Sequence, residues 1–259
     1  MTTRKIPSPL IGLGALAAAA IGLGGCATPG PLHTYILSTS DSATAIRDRG
    51  TDATSAKVPS FLQDGDKLVG FAYDPFTDHF FLRLAPGNTI RVVDRPARAI
   101  KREFTVASLP APSGGDLAIR PRDGHVFAAH PTQPAIIEFN RFGETIRTFT
   151  LAGTRSPALG LAYDATRDRL FALHGGDLSY ITTHDLSGQR LASVSLDRDV
   201  ALTTLAYDPD QREFYTVLRE GAAIGIFSES GHLVRNSPLT PRSPSALIDI
   251  GPRSFLRLF

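Results

Sequence analysis

Five segments of the chain superimpose on one another at a spacing of 41 to 46 residues, and a repeat of that period restricts the fold more than any other feature. Their cores read Phe71-Ala72-Tyr73-Asp74, Leu117-Ala118-Ile119-Arg120, Leu161-Ala162-Tyr163-Asp164, Leu205-Ala206-Tyr207-Asp208 and Ala246-Leu247-Ile248-Asp249. Beyond each core comes a large apolar residue (Phe80, Val126, Leu170, Phe214, Phe255), followed by a second (Phe81, Phe127, Phe171, Tyr215, Leu256). A period in the forties made of several short strands is that of propeller blades. The 23 glycines and 19 prolines supply turns at short intervals, and no amphipathic helical pattern interrupts residues 26–259. The fold class is therefore all-β.

Alternation and turn residues predict four strands per repeat. In the third these are Gly160 to Asp164, Arg169 to Leu173, Leu178 to Thr183 and Leu191 to Leu196, with a reversal at Asp185-Leu186-Ser187-Gly188. The fifth repeat stops after its second strand, at Phe259, and an open blade there would expose an apolar edge. His33 to Leu37 aligns with third strands and Lys57 to Leu62 offers a fourth. The expected fold is a five-bladed β-propeller whose last blade is closed by strands from both chain ends. A six-bladed ring is the alternative, but it would need another blade within Ser38 to Ser55, whose composition reads as a polar loop.

Ahead of the repeats, Arg4 and Lys5 precede an apolar run from Leu10 to Leu23 that ends in Leu23-Gly24-Gly25-Cys26, the layout of a secretory signal. Five glycines interrupt the run from Pro9 to Gly25, whereas a membrane span needs ~20 predominantly apolar positions. Cys26 is the single cysteine, so no internal disulfide explains it. Leu-Gly-Gly-Cys resembles the lipobox of bacterial lipoproteins. That resemblance implies a signal peptide over 1–25, lipidation such as palmitate on Cys26, a linker over 26–32 and one propeller domain over 33–259. With Ala27 next, it also implies export to the outer membrane, facing the periplasm or the cell surface.

The repeated Leu-Ala-Tyr-Asp, turn, Leu-Phe-Ala-Leu of Leu161 to Leu173, with the later Asp185-Leu186-Ser187-Gly188, resembles the blades of NHL-type and SdiA-regulated-like propellers over residues 70–259. The resemblance implies a fold and no particular reaction. A formal charge of +2 with scattered arginines lacks the basic run that nucleic acid requires. Nucleophile elbow, paired metal-binding histidines, phosphate loop and dinucleotide fingerprint are all missing from the sequence. The chain reads as a lipid-anchored binding or scaffold module of the cell envelope, a monomer with an envelope protein or small ligand as partner. A propeller hydrolase of the lactonase, esterase or phytase kind, with a metal-assisted rim site, is the alternative.

Chemistry is expected where the repeats differ. Asp116 is the charged member of a column otherwise holding Gly70, Gly160, Thr204 and Ser245, and His130 and His174 fall at matching second-strand ends. Arg83, Asp177 and Arg219 lie close by in sequence. These six are the candidate ligand-binding residues, all placed on one rim. No cofactor is implied beyond a divalent cation that His130, His174 and Asp116 would bind.

Overall fold

The computed structural model describes residues 31–40, 43–48, 61–110, 114–240 and 242–252, so the leader and Cys26 lie outside the described residues. Nineteen strands and no helix are found among them. β1 (Leu32–Ser40) and β2 (Ala43–Asp48) precede four up-and-down units. These are β3 to β6 (Lys67–Asp74, His79–Ala85, Thr89–Asp94, Ala99–Thr105) and β7 to β10 (Leu117–Arg120, His125–Ala129, Ala135–Phe139, Thr145–Thr150). Then come β11 to β14 (Gly160–Asp164, Arg169–His174, Tyr180–His184, Arg190–Ser195) and β15 to β18 (Ala206–Asp208, Glu213–Val217, Ala223–Ser228, Leu233–Pro238). β19 (Leu247–Pro252) is the last. Each unit forms one four-stranded antiparallel sheet, and β19, β1 and β2 form a three-stranded sheet in that order. The sheets are arranged as a propeller, with the first strand of each innermost.

The repeated residues explain the packing. Inner strands converge on the axis, so tightly that a methyl group on Gly160 would lie 2.7 Å from the backbone of Thr204. One register farther out, Ala72, Ala118, Ala162 and Ala206 stand opposite Phe81, Phe127, Phe171 and Tyr215 of the second strands. Small residues near the axis and aromatics behind them fill each wedge, and the apolar clusters lie between adjacent sheets. Asp74, Asp164 and Asp208 each accept the backbone N–H two residues on, from Phe76, Thr166 and Asp210 at 3.0, 2.9 and 2.9 Å, as expected of Asx turns. Those turns end on a left-handed residue, Asp78, Asp168 or Arg212, and the turn after Arg120 ends likewise on Gly124.

The three-stranded sheet corrects the sequence reading in three ways. β1 pairs directly with the inner strand β19, Ile36 opposite Ile248, and so takes the second place and not the third. Ala43–Asp48 lies in the segment read as a polar loop, yet it pairs with β1 as a strand. The inner strand also sits two residues later than the sequence pattern placed it: Thr204 Oγ1 accepts from Ile248 N at 3.0 Å and donates to Ile248 O at 3.1 Å. Ile248 is thereby level with Leu205, and Asp249, not Leu247, occupies the alanine column with Tyr35 as its facing aromatic. The expected second strand at Phe255 to Phe259, and Lys57 to Ser60 of the expected fourth, lie outside the described residues.

Candidate functional site

At the turn end of the inner strands the propeller axis opens into a depression of about 80 Å³. Its inner ring is Tyr73, Ile119, Tyr163, Tyr207 and Ile250. The outer ring is Pro75, Pro121, Ala165, Pro209 and Pro252, two residues farther along each strand. Asp249 projects from the alanine column into this space, where the other strands present a methyl group or less. Its carboxylate accepts from Tyr73 N at 2.6 Å and from Ile250 N at 2.8 Å. Burial pushes the Asp249 carboxyl up to about 7, with the two N–H groups offsetting only part of the lost hydration. A concave site with one convergent titratable group is where ligands are ordinarily held.

The opposite end of the axis is closed by Asp116. Its side chain is fully buried, and its two oxygens accept backbone N–H groups from three other units: Phe71 at 3.2 Å, Leu161 at 3.3 Å and Leu205 at 3.1 Å. Burial pushes Asp116 up to about 8, against these donors and Leu117 N of its own strand. The expectation of a charged group on an open rim thus gives way to a carboxyl that joins four inner strands at the axis.

Arg83 is fully buried beside it. Nη1 donates to Gly115 O at 3.0 Å and Ala129 O at 2.7 Å, while Nε and Nη2 have no hydrogen-bond partner. Burial pulls Arg83 down to about 10, with Asp116 opposing. His130 belongs to the same neighbourhood: burial and then the Arg83 charge hold its pKa below the ordinary histidine value. Its Nδ1 accepts from Thr132 N at 3.3 Å and Gln133 N at 3.1 Å, which places the imidazole proton on Nε2.

The remaining candidates are not part of this group. His174 is buried within its own sheet, with Nδ1 3.1 Å from Pro157 O and Nε2 2.8 Å from Thr182 Oγ1, and burial pulls it down to about 4. The expectation of a rim histidine overlooked Thr182 and His184, whose Nε2 lies 2.9 Å from the same hydroxyl. Asp177 is exposed, and exposed Arg219 pairs with Asp199 at 3.3 Å. Among the described residues, no three His, Cys, Asp or Glu side chains come together to hold a metal ion. Sequence reasoning missed Asp249, because its fit to the turn aspartates concealed its place in the alanine column.

Solved structures share this architecture. The chain is similar to a chain of a nidogen/laminin complex, with 12% identity over 86% of this chain and 100% of that one, at a TM-score of 0.58. It is also similar to Myxococcus xanthus glutaminyl cyclase, with 15% identity over 70% of this chain and 69% of that one, at a TM-score of 0.50. At such identities the likeness is one of fold. No protein-family model matches the sequence, and no curated protein does.

Proposed function

We propose that the chain is a binding propeller of the bacterial envelope, tethered through lipid on Cys26, that takes a small ligand or a partner's side chain in its axial depression. The observation that carries the reading is Asp249, a carboxyl in a hollow otherwise lined by tyrosine, isoleucine, proline and other uncharged residues. The hollow suits a compact group bearing a hydrogen-bond donor or positive charge, because the floor offers acceptors and the wall is apolar. On this reading the three-stranded sheet is the fifth blade of the ring. The lipobox-like Leu23 to Cys26 supports the envelope address, and propeller homology in fold alone leaves the ligand to the site's own chemistry.

The test is a titration of ¹⁵N-labelled protein with primary alkylammonium ions of increasing length. Shifts should concentrate at Tyr73, Ile250 and Gly251, saturate, and vanish in Asp249→Ala. Shifts spread over the surface, or unchanged by that substitution, would remove the basis for an axial site.

A further inference from the structure

Arg83 departs from the pattern of its own column. It stands opposite Gly70 in the first sheet, where the other units place Ala129, Leu173 and Val217. A guanidinium at a position built for aliphatic side chains carries a desolvation penalty that only its partners can offset. Two of its donors find carbonyls on the neighbouring unit, Gly115 O and Ala129 O. Nε and Nη2 stay unpaired although the side chain is wholly buried. The oxygens of the neighbouring Asp116 carboxyl are already engaged by Phe71, Leu161 and Leu205.

The unpaired pair of atoms is informative. Nε and Nη2 form the side-on edge of the guanidinium, from which two parallel N–H bonds leave at the spacing of two carboxylate oxygens. The backbone on this side is glycine at two successive positions, and a methyl group on Gly114 would meet nothing nearer than Pro131 Cβ at 3.9 Å. Gly115 beside it has φ +98°, and a methyl group there would lie 2.8 Å from Ala129 Cβ. This glycine therefore keeps its carbonyl on Nη1. His130, with its proton on Nε2, adds a third polar group to the neighbourhood.

We propose that Arg83, with His130 beside it, forms a carboxylate-binding site between the first two four-stranded sheets, at the end of the axis opposite the depression. The anion is held bidentately by Nε and Nη2 while Nη1 anchors the guanidinium to Gly115 and Ala129. The site takes a small carboxylate, either a free acid or the acidic group of a larger ligand. It is independent of Asp249 and of the axial reading.

The experiment is calorimetric titration of the purified full-length protein with acetate, with equal ionic strength of chloride and sulfate as controls. One saturable acetate site is expected, weakened about tenfold in Arg83→Lys, which keeps the charge and can reach the two carbonyls but has no side-on edge. Asp249→Ala should leave acetate binding unchanged, so failure of one site is distinguishable from failure of the other. His130→Gln should weaken acetate about threefold with the melting temperature unmoved, the size of one modest hydrogen bond. Absence of saturable heat, equal response to sulfate and chloride, or equal affinity in wild type and a folded Arg83→Lys would each overturn the proposal. If Arg83→Lys fails to fold, Arg83→Met decides, since it is apolar like the residues the other units place in this column: a folded Arg83→Met that still binds acetate overturns the proposal, and one that has lost it supports the proposal.

Discussion

Asp116 accepts a hydrogen bond from the backbone N–H of Leu205, 89 positions along the chain, at 3.1 Å. The same carboxyl holds Phe71 and Leu161, so one side chain ties strands from units that share no sheet. Asp116→Ala would leave three buried N–H groups without acceptors, each costing roughly 1–3 kcal/mol. A loss of about 3 kcal/mol or more in urea denaturation is expected. A loss within about 0.5 kcal/mol, the range of an ordinary surface substitution, would show that water replaces the carboxyl at the axis.

The two axial carboxyls also set a pH dependence. Between pH 7.5 and 9 histidines are largely neutral in both states and every unfolded carboxyl is ionised, whereas folded Asp249 and Asp116 keep protons up to about 7 and about 8. The folded state then binds more protons than the unfolded one, so stability falls as pH rises through this window. The urea midpoint should decrease from pH 7.5 to 9. Asp116→Asn starts lower, having one acceptor oxygen, and its decline should be shallower; a parallel decline would remove Asp116 as the cause.

Turn glycines lock neighbouring units together. Gly188 has φ +88°, and a methyl group there would overlap the carbonyl of Thr150 on the outer strand of the preceding sheet. Gly65 has φ +90° with nothing within 4 Å, so it isolates the backbone contribution. Gly188→Ala should cost about 2 kcal/mol or more and Gly65→Ala about 1 kcal/mol, measured by thermal unfolding. Equal losses would mean that the contact with Thr150 contributes nothing.

Removing residues 247–259 deletes β19 and strips Ile36 and Leu37 of the strand they pair with. An unpaired apolar edge next to a buried cluster favours association between chains. Size-exclusion chromatography should show oligomers or aggregate, with loss of a cooperative melt. A monomer with the parent melting curve would separate β1 from the integrity of the ring.

On the proposed lipid-anchored reading, Cys26→Ser should abolish incorporation of labelled palmitate and leave the precursor uncleaved, since the thiol sulfur would be the atom modified and a hydroxyl is a far weaker nucleophile. Persistent labelling of the serine variant would contradict the lipobox reading.

What the sequence made readable was local. The Ala–aromatic pairs such as Ala162 with Phe171, the aspartates that start turns and the Asp185 to Gly188 reversal all recur at fixed offsets and are visible as columns. The last inner strand was misaligned because Asp249 mimics a turn aspartate, and the residues that place it, Thr204 and Tyr35, lie in other units. β2 lacks the apolar alternation of the other strands and gains its order from pairing with β1. The candidate rim was half readable: Asp116, Arg83 and His130 do gather at one end of the axis. His174 does not join them, because Thr182 on the adjacent strand draws its ring inward.

The pairing of β1 with β19 fixes an order of events. Leu37 and Leu247 face each other across about 210 residues of chain, and contacts of that separation form late because loop-closure entropy is spent before any reward arrives. The four consecutive up-and-down units can each form from near neighbours as the chain emerges. β1 has to wait for β19. If the chain is exported N-terminus first, as the proposed envelope address implies, an unsealed apolar seam persists until β19 has been delivered, and vulnerability to misassembly falls in that interval, when a holding chaperone would have the most to protect.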